Sequence, residues 1–315
     1  MVTPGFSGVA HCSFIHTPGS QRYMQIHLKD ISTAEAQNYL QHAIAPRPIA
    51  FASTISAGGM VNLSPFSFFN LFSTHPPVVI FSAARRVRNN TTKHTLQNAE
   101  ETREVVINIV DYDMVQQVSL ASCEYDKGVN EFLKSGFTPI AATLVKPPMV
   151  KESKVNLECK VLEIKYIGQE GGAGNLIICE VLVMHIDDSI LDENNKIDQR
   201  KFHHVARLGG DWYCKVDESN LFKVAKPNVQ LGVGVDALPA AIRNSKILSG
   251  NNLGQLANVT ALPHIDPAFE DERLKHIVQY FSLNPIDMEM EIHRYAKELL
   301  VDNKVDAAWQ VLLSA

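Results

Sequence analysis

Apolar residues recur along this chain with two different periods. Val155, Leu157, Cys159 and Val161 alternate with Asn156, Glu158 and Lys160, the pattern of a strand with one face in a core and the other in water. Leu274, Ile277, Val278 and Phe281, and later Ile292, Tyr295, Ala296, Leu299 and Leu300, fall mostly three and four apart, the spacing of amphipathic helices. Strand signals fill the chain up to Tyr213, and helix signals fill residues 271–314. The change of character falls near Lys226-Pro227.

Turn and cap residues sharpen this outline. Ser32 or Thr33 caps a short helix with Glu35 in its first turn, and Pro46 prevents its continuation. Residues 49–56 and 60–63 read as strands joined by Ala57-Gly58-Gly59, and residues 78–82 as a strand entered through Pro76-Pro77. A helix is expected over 92–99 and a buried strand over 105–110, after which Asp113 caps a helix through Ala121. Gly171-Gly172-Ala173-Gly174 turns the chain into a strand over 176–186. The fold class expected is mainly β (α+β), a closed or nearly closed barrel with helical decoration. It divides into an extension over 1–23, a barrel domain over 24–226 and an α-helical C-terminal appendage over 227–315.

The stretch from Arg47 to Ser82 carries the most chemistry. Ser53, Thr54, Ser56, Asn62, Ser64, Ser67, Asn70 and Ser73 stand among strand-forming apolar residues, with no acid anywhere in the stretch. Buried hydroxyls and amides need partners, and a ligand with many acceptors and an anionic end would supply them. A Ser-rich hairpin facing water is the plainer reading. Phe66, Phe68, Phe69, Phe72 and Phe81 speak against it, since a solvated hairpin would not expose so many rings. A flat aromatic ligand bearing a phosphate satisfies both halves of the pattern.

These residues resemble the flavin reductase-like family, whose members bind FMN on a split β-barrel. The resemblance runs through Arg47-Pro48-Ile49-Ala50 with Ser53-Thr54, then the block Asn62 to Asn70, Pro76-Pro77, Lys93-His94-Thr95 with Asn98, and Arg207-Leu208-Gly209-Gly210 with Tyr213. It implies an FMN site built from Arg47, Ser53, Thr54, Asn62, Leu63, Ser64, Pro65, Ser67, Phe68, Asn70, Ser82, Lys93 and Thr95. Lys93 and Thr95, at the start of a helix, suit the phosphate, whereas Asn62 and Asn70 could bond the ring edge or simply stabilise turns. The family commonly has an acid where His94 stands. The resemblance further implies a flavin reductase that takes hydride from NAD(P)H and passes electrons to an acceptor, assembled as a homodimer. The competing readings are an FMN-binding electron-transfer protein without a nicotinamide site and a structural barrel.

Composition narrows the setting. A formal net charge of -5 over 315 residues, with no Lys/Arg block, argues against nucleic-acid binding. No apolar run is long enough to span a membrane. Five Cys without CxxC spacing read as ordinary thiols of a reducing compartment, and the N-terminus lacks a secretory pattern, so the cytoplasm is expected. Two motifs are set aside as decoys. Gly232-x-Gly234-x-x-Ala237 has Pro239 where a dinucleotide-binding helix must continue. The adjacent pair His203-His204 would point to opposite faces of a strand and has no acid or Cys at ligand spacing.

Overall fold

Ser32 starts the first helix for the physical reason its sequence suggests. Its hydroxyl accepts from the Glu35 N–H, and the Glu35 carboxylate accepts from the Ser32 N–H, a capping box that satisfies two donors a helix start otherwise leaves bare. The structure, a computed structural model, describes residues 13–15, 23–226 and 231–314. It divides into two compact units, Met1–Leu221 and Phe222–Ala315. The expected N-terminal extension contributes a ribbon, β1 (Ser13–Ile15) antiparallel to β2 (Tyr23–Gln25), and otherwise lies outside the described residues. Helix α1 (Thr33–Ala43) follows, then β3 (Arg47–Pro48).

The main sheet begins with the expected hairpin of β4 (Ala50–Ile55) and β5 (Val61–Phe66). Ser56 closes its turn, its N–H donating to Met60 O and its Oγ accepting from Met60 N. After Ser67-Phe68 come β6 (Phe69–Thr74) and β7 (Pro77–Ser82), then α2 (His94–Thr102), β8 (Glu104–Ile109), α3 (Val115–Leu120) and α4 (Glu131–Ser135). A two-stranded ribbon, β9 (Pro139–Ile140) with β10 (Met149–Val150), precedes the long pair β11 (Val155–Tyr166) and β12 (Asn175–Ile186). The strand order is β5-β4-β8-β11-β12-β7-β6, with every neighbour antiparallel.

The two edges of this sheet, β5 and β6, are consecutive in the chain and separated by two residues. A link that short requires the sheet to roll until its edges approach. The Ser82 N–H donates to Phe68 O at 2.8 Å, and the Phe66 and Phe81 rings lie 5.3 Å apart, tying the rolled ends together. Register shifts along β11 add the local bend that rolling demands. The result is a split β-barrel. Its interior is filled by Ala50, Ala52, Val105, Ile107, Leu157, Val161 and Ile177, with Leu96 and Ala99 of α2 packed into the same cluster.

Three elements differ from the sequence pattern. Strand β6 was not expected, because its side chains are largely exposed and leave no alternation. Asp111, not Asp113, is the cap: its carboxylate accepts from the Asp113 N–H at the head of a single 3-10 turn, and α3 begins only at Val115. The third is the polar face of β11, where Asn156 and Glu158 are buried rather than wet. The segment 138–152 covers that face, with Thr143, Leu144 and Val145 bonding Glu158 and the Val150 N–H donating to the buried amide of Asn108.

A second small sheet places β3 beside β13 (Val205–Arg207) and β14 (Tyr213–Lys215). The intervening Gly209 backs directly onto the His42 ring of α1, and a Cβ there would overlap it. Gly209→Ala should therefore cost roughly 1–3 kcal/mol, the range for overpacking, measured as a lower denaturation midpoint with unchanged slope. No loss of stability would mean that α1 moves freely away from this corner.

The helical unit comprises α5 (Ala240–Arg243), α6 (Gly250–Leu256), α7 (Glu272–Tyr280), α8 (Pro285–Val301) and α9 (Val305–Leu313). The periodic positions Leu274, Ile292, Tyr295, Ala296, Leu299 and Leu300 meet Leu256, Trp309 and Leu312 in one core. Short helices need such packing to persist in water. Gly234 carries a left-handed φ of 84° at the head of a 3-10 turn, and Pro239 caps α5, so the glycine pair opens no dinucleotide-binding helix.

Candidate active site

The N-terminus of α2 gathers the clearest ligand-seeking features. Its cap residue, Lys93, makes no side-chain cap bond, and its first turn holds no acid, so the leading N–H groups and the positive end of the dipole are open to an anion. Burial and then the nearby Arg86 pull the Lys93 pKa down, with Glu124 partly opposing. His94 is likewise held low by burial and by Arg86, Lys127 and Lys93. Among the described residues Lys93 enters no ion pair, whereas Arg86 bonds Glu124 at 3.0 Å. Four basic groups thus lie about one helix start, with Glu124 and Asp126 as the acids that partly oppose them. Sequence reasoning expected Lys93 here and passed over Arg86 and Lys127. For Arg86 a signal was present, since no acid occurs between Glu35 and Glu100.

Behind this helix start, α2 is fastened to the sheet by two buried hydrogen bonds. Asn62 Nδ2 donates to Thr95 Oγ1 at 2.9 Å, and Asn98 Nδ2 donates to Thr54 Oγ1 at 3.1 Å. Thr54 and Asn62 are register partners on β4 and β5, so the four side chains form one polar layer beneath α2. Among the described residues neither threonine hydroxyl donates a bond, and each retains a proton to offer. Asn62, His94 and Asn98 also line a small cleft with Lys127 and Gly128.

Strand alternation sends Ser53 to the opposite face from Thr54. Ser53 pairs in register with Leu63, in a cluster with Phe51, Val118 and Phe132, and its hydroxyl is buried without a partner. The two hydroxyls adjacent in sequence therefore do not act at one point. On this face the Leu63 N–H donates to Glu131, a buried acid of α4 that sequence reasoning did not single out. Burial pushes the Glu131 pKa up, with the bonds from its own N–H and from Leu63 pulling the other way. A raised carboxyl favours the folded state as pH falls and becomes a liability once ionised. Glu131→Gln keeps an acceptor for Leu63, so it should match or exceed wild-type stability at neutral pH. It should also lack the gain that wild type shows on mild acidification. Marked destabilisation of the variant at neutral pH would show instead that the ionised form is required.

The remaining expected residues scatter around this centre. Arg47 is buried, its guanidinium donating to the Gln41 and Ile44 carbonyls at the end of α1 and to Leu208 O. This is the bonding of a helix C-cap. Ser64 is half-buried on the face of Ala52, and Pro65, Ser67 and Phe68 run along the rim towards β6. Asn70 is exposed and its Oδ1 accepts from the Leu71 N–H, the local bonding its sequence allowed. Ser82 ends β7 with its hydroxyl buried and unpartnered.

His204 stacks on Phe202 at 3.8 Å, and among the described residues no three His, Cys, Asp or Glu side chains converge on a metal position. Burial raises the thiols of Cys159 and Cys179 inside the barrel, which leaves them poor nucleophiles.

Comparison with known proteins places this barrel. The profile of the flavin reductase-like domain matches residues 42–206, a little over half of the chain. An uncharacterised protein of Aquifex aeolicus is 40% identical over 172 residues, spanning 55% of this chain and 85% of the relative. The Bacillus subtilis protein YwrF is 30% identical over 201 residues, 63% of this chain and 96% of its own. Among solved structures, nitrilotriacetate monooxygenase component B from Bacillus cereus superposes with a TM-score of 0.61 at 26% identity, covering 65% of this chain and all of that one. The 2-nitrobenzoate 2-nitroreductase of Pseudomonas fluorescens, with a TM-score of 0.59 at 22% identity over 67% of this chain and all of that one, shares the fold. The matched segment holds the α2 helix start, the polar layer beneath it and every expected site residue, and the chain belongs to the flavin reductase-like domain family.

Proposed function

We propose that this protein is an FMN-dependent reductase, drawing hydride from NAD(P)H and passing electrons to an acceptor. The observation that carries the choice of FMN is the open start of α2, whose first turn holds no acid, with Lys93 beside it in no ion pair among the described residues. A terminal phosphate carries close to two negative charges, which such a site holds best. The donor set fits: among the described residues the Thr54 and Thr95 hydroxyls have protons to give, and the Ser82 hydroxyl is buried without a partner, whereas Ser53 faces the other side of the sheet.

When bound, the flavin supplies the redox centre for two-electron chemistry. The chain's own task is to bind, orient and shield. Lys93 and the leading N–H groups of α2 anchor the anionic end. Thr95 and Asn62, locked to each other, fix the wall beside it, and burial keeps Lys93 partly desolvated, which strengthens its attraction for an anion. A homodimer accords with the exposure of Leu71 and Phe72 on the edge strand β6 and of Leu182 and Met184 on β12.

Titration of ligand-free protein with FMN and riboflavin tests the reading. FMN should bind roughly tenfold or more tighter, the worth of one charge-assisted bond. Equal affinities would remove the phosphate from α2.

A further inference from the structure

One carboxylate stands against the cations at the α2 start. Glu124, in the loop between α3 and α4, accepts from Arg86 Nε at 3.0 Å through one oxygen and from Arg88 Nη2 at 2.8 Å through the other. Among the described residues these two ion pairs are the hydrogen bonds that join the 121–130 loop to the 83–93 segment leading into α2. Further along the same loop, Lys127 and Gly128 line the cleft beside Asn62 and His94. Arg86 and Glu124 also act on the Lys93 charge in opposite senses, so both lie within electrostatic reach of the cap residue.

The three partners are not held alike. Arg86 is fixed from behind: its Nη1 donates to Thr91 Oγ1 at 2.9 Å and to Thr92 O at 2.8 Å, the carbonyl just ahead of Lys93. Its side chain is 15% exposed, against 45% for Glu124 and 80% for Arg88. Among the described residues its Nη2 donates no hydrogen bond. The Arg86 guanidinium is therefore a built part of the helix start, and the Glu124 carboxylate is its exchangeable partner. A partly exposed carboxylate–guanidinium pair is worth about 2–5-fold in an equilibrium constant, and a charge-assisted bond to a phosphate about tenfold or more. A phosphate that reaches Arg86 thus prevails over Glu124, but binds less tightly than it would without that competitor.

We propose that Glu124 is a specificity-determining residue of the α2 site, an internal anion that competes with a flavin phosphate for Arg86, weakens its binding and speeds its release. The proposal rests on the reading of the α2 start as the site of that phosphate. Riboflavin has no anion to contest with a carboxylate, so Glu124 sets how strongly the site distinguishes a phosphorylated flavin from an unphosphorylated one.

The test is titration of the full chain carrying Glu124→Gln with FMN, riboflavin and, separately, inorganic phosphate, alongside thermal melting. Gln keeps the length of the side chain and an acceptor for Arg86 while removing the charge. FMN and inorganic phosphate should each bind about 2–5-fold tighter than to wild type. Riboflavin should bind as before, and most of the gain for FMN should lie in slower release. In an Arg86→Gln background the same change at Glu124 should bring little or no gain, because the contested cation is gone. Salt dependence needs only the single variant and keeps the test open if the double variant folds poorly. FMN affinity should fall more steeply with added salt in Glu124→Gln, since more positive charge faces the phosphate.

Weaker FMN binding by Glu124→Gln would overturn the proposal and make Glu124 a brace that positions Arg86. Unchanged FMN affinity and salt slope would overturn it too, as would an equal gain for riboflavin or a gain that survives the loss of Arg86. Each of these results leaves the flavin reading intact. If neither wild type nor variant binds FMN while inorganic phosphate binds the variant more tightly, the flavin reading fails and the competition stands.

Discussion

Lys93→Ala is expected to weaken FMN by about 10–100-fold, or roughly 1–3 kcal/mol, while leaving riboflavin almost unaffected. Lys93 is the one cation at the α2 start that is both partly buried and in no ion pair among the described residues. Its loss removes charge that nothing else replaces. The pH dependence has its origin in the same setting. Burial and Arg86 lower the Lys93 pKa, so its charge disappears at lower pH than for a free lysine. Wild-type affinity for FMN should accordingly fall as pH rises through that lowered value, and the variant should lack this dependence. Equal losses for FMN and riboflavin would show that Lys93 shapes the pocket without touching the phosphate.

How much of this site is legible in the chain alone is clearest from individual residues. Lys93 and Thr95 come into view through the family resemblance together with their place at an expected helix start, which is a local feature. The hairpin of β4 and β5 is legible for the same reason, from its glycines and flanking apolar residues. The face that each residue takes is not legible. Ser53 and Thr54 look like one pair of hydroxyls in sequence, yet strand alternation sets them on opposite sides of the sheet. Arg47 is expected at the flavin only through the resemblance, and no spacing announces that α1 ends beside it and takes up its Nη1 donors. Glu131 and Lys127 come from a distant helix and loop, and no spacing in the chain announces that they return to β5 and α2. Strand β6 is hidden because an exposed edge leaves no alternation to detect.

The second large effect concerns stability. Glu158→Gln should cost about 3 kcal/mol at neutral pH. Glu158 is fully buried on β11, which by itself would push its pKa up. Bonds from the Thr143 hydroxyl and N–H, from His185 at 2.6 Å and from the Leu144 N–H overcome this and bring it to about 2. A carboxyl titrating near 2 rather than 4.5 is worth about 3 kcal/mol, and linkage sets the sign. The folded pKa is depressed, so the stabilisation is complete above about 4.5 and disappears as pH falls towards about 2. Denaturant midpoints taken between pH 7 and pH 2 should show this loss in wild type and a smaller slope in Glu158→Gln. Superimposable curves would mean that segment 138–152 is held to the sheet by its apolar contacts alone. The alternation of β11 carries no hint of this role, because an acid on the polar face of a strand ordinarily meets water.

A flavin held at α2 and reduced by a nicotinamide nucleotide is the central claim. Anaerobic rapid mixing of FMN-loaded protein with NADH and, in parallel, with NADPH tests it most directly. Loss of the flavin's visible absorption band with at least one of the two, saturating with nucleotide concentration, is the result expected. A band that persists with both, in protein shown to hold FMN, would contradict the reductase reading and leave an electron-transfer flavoprotein in its place.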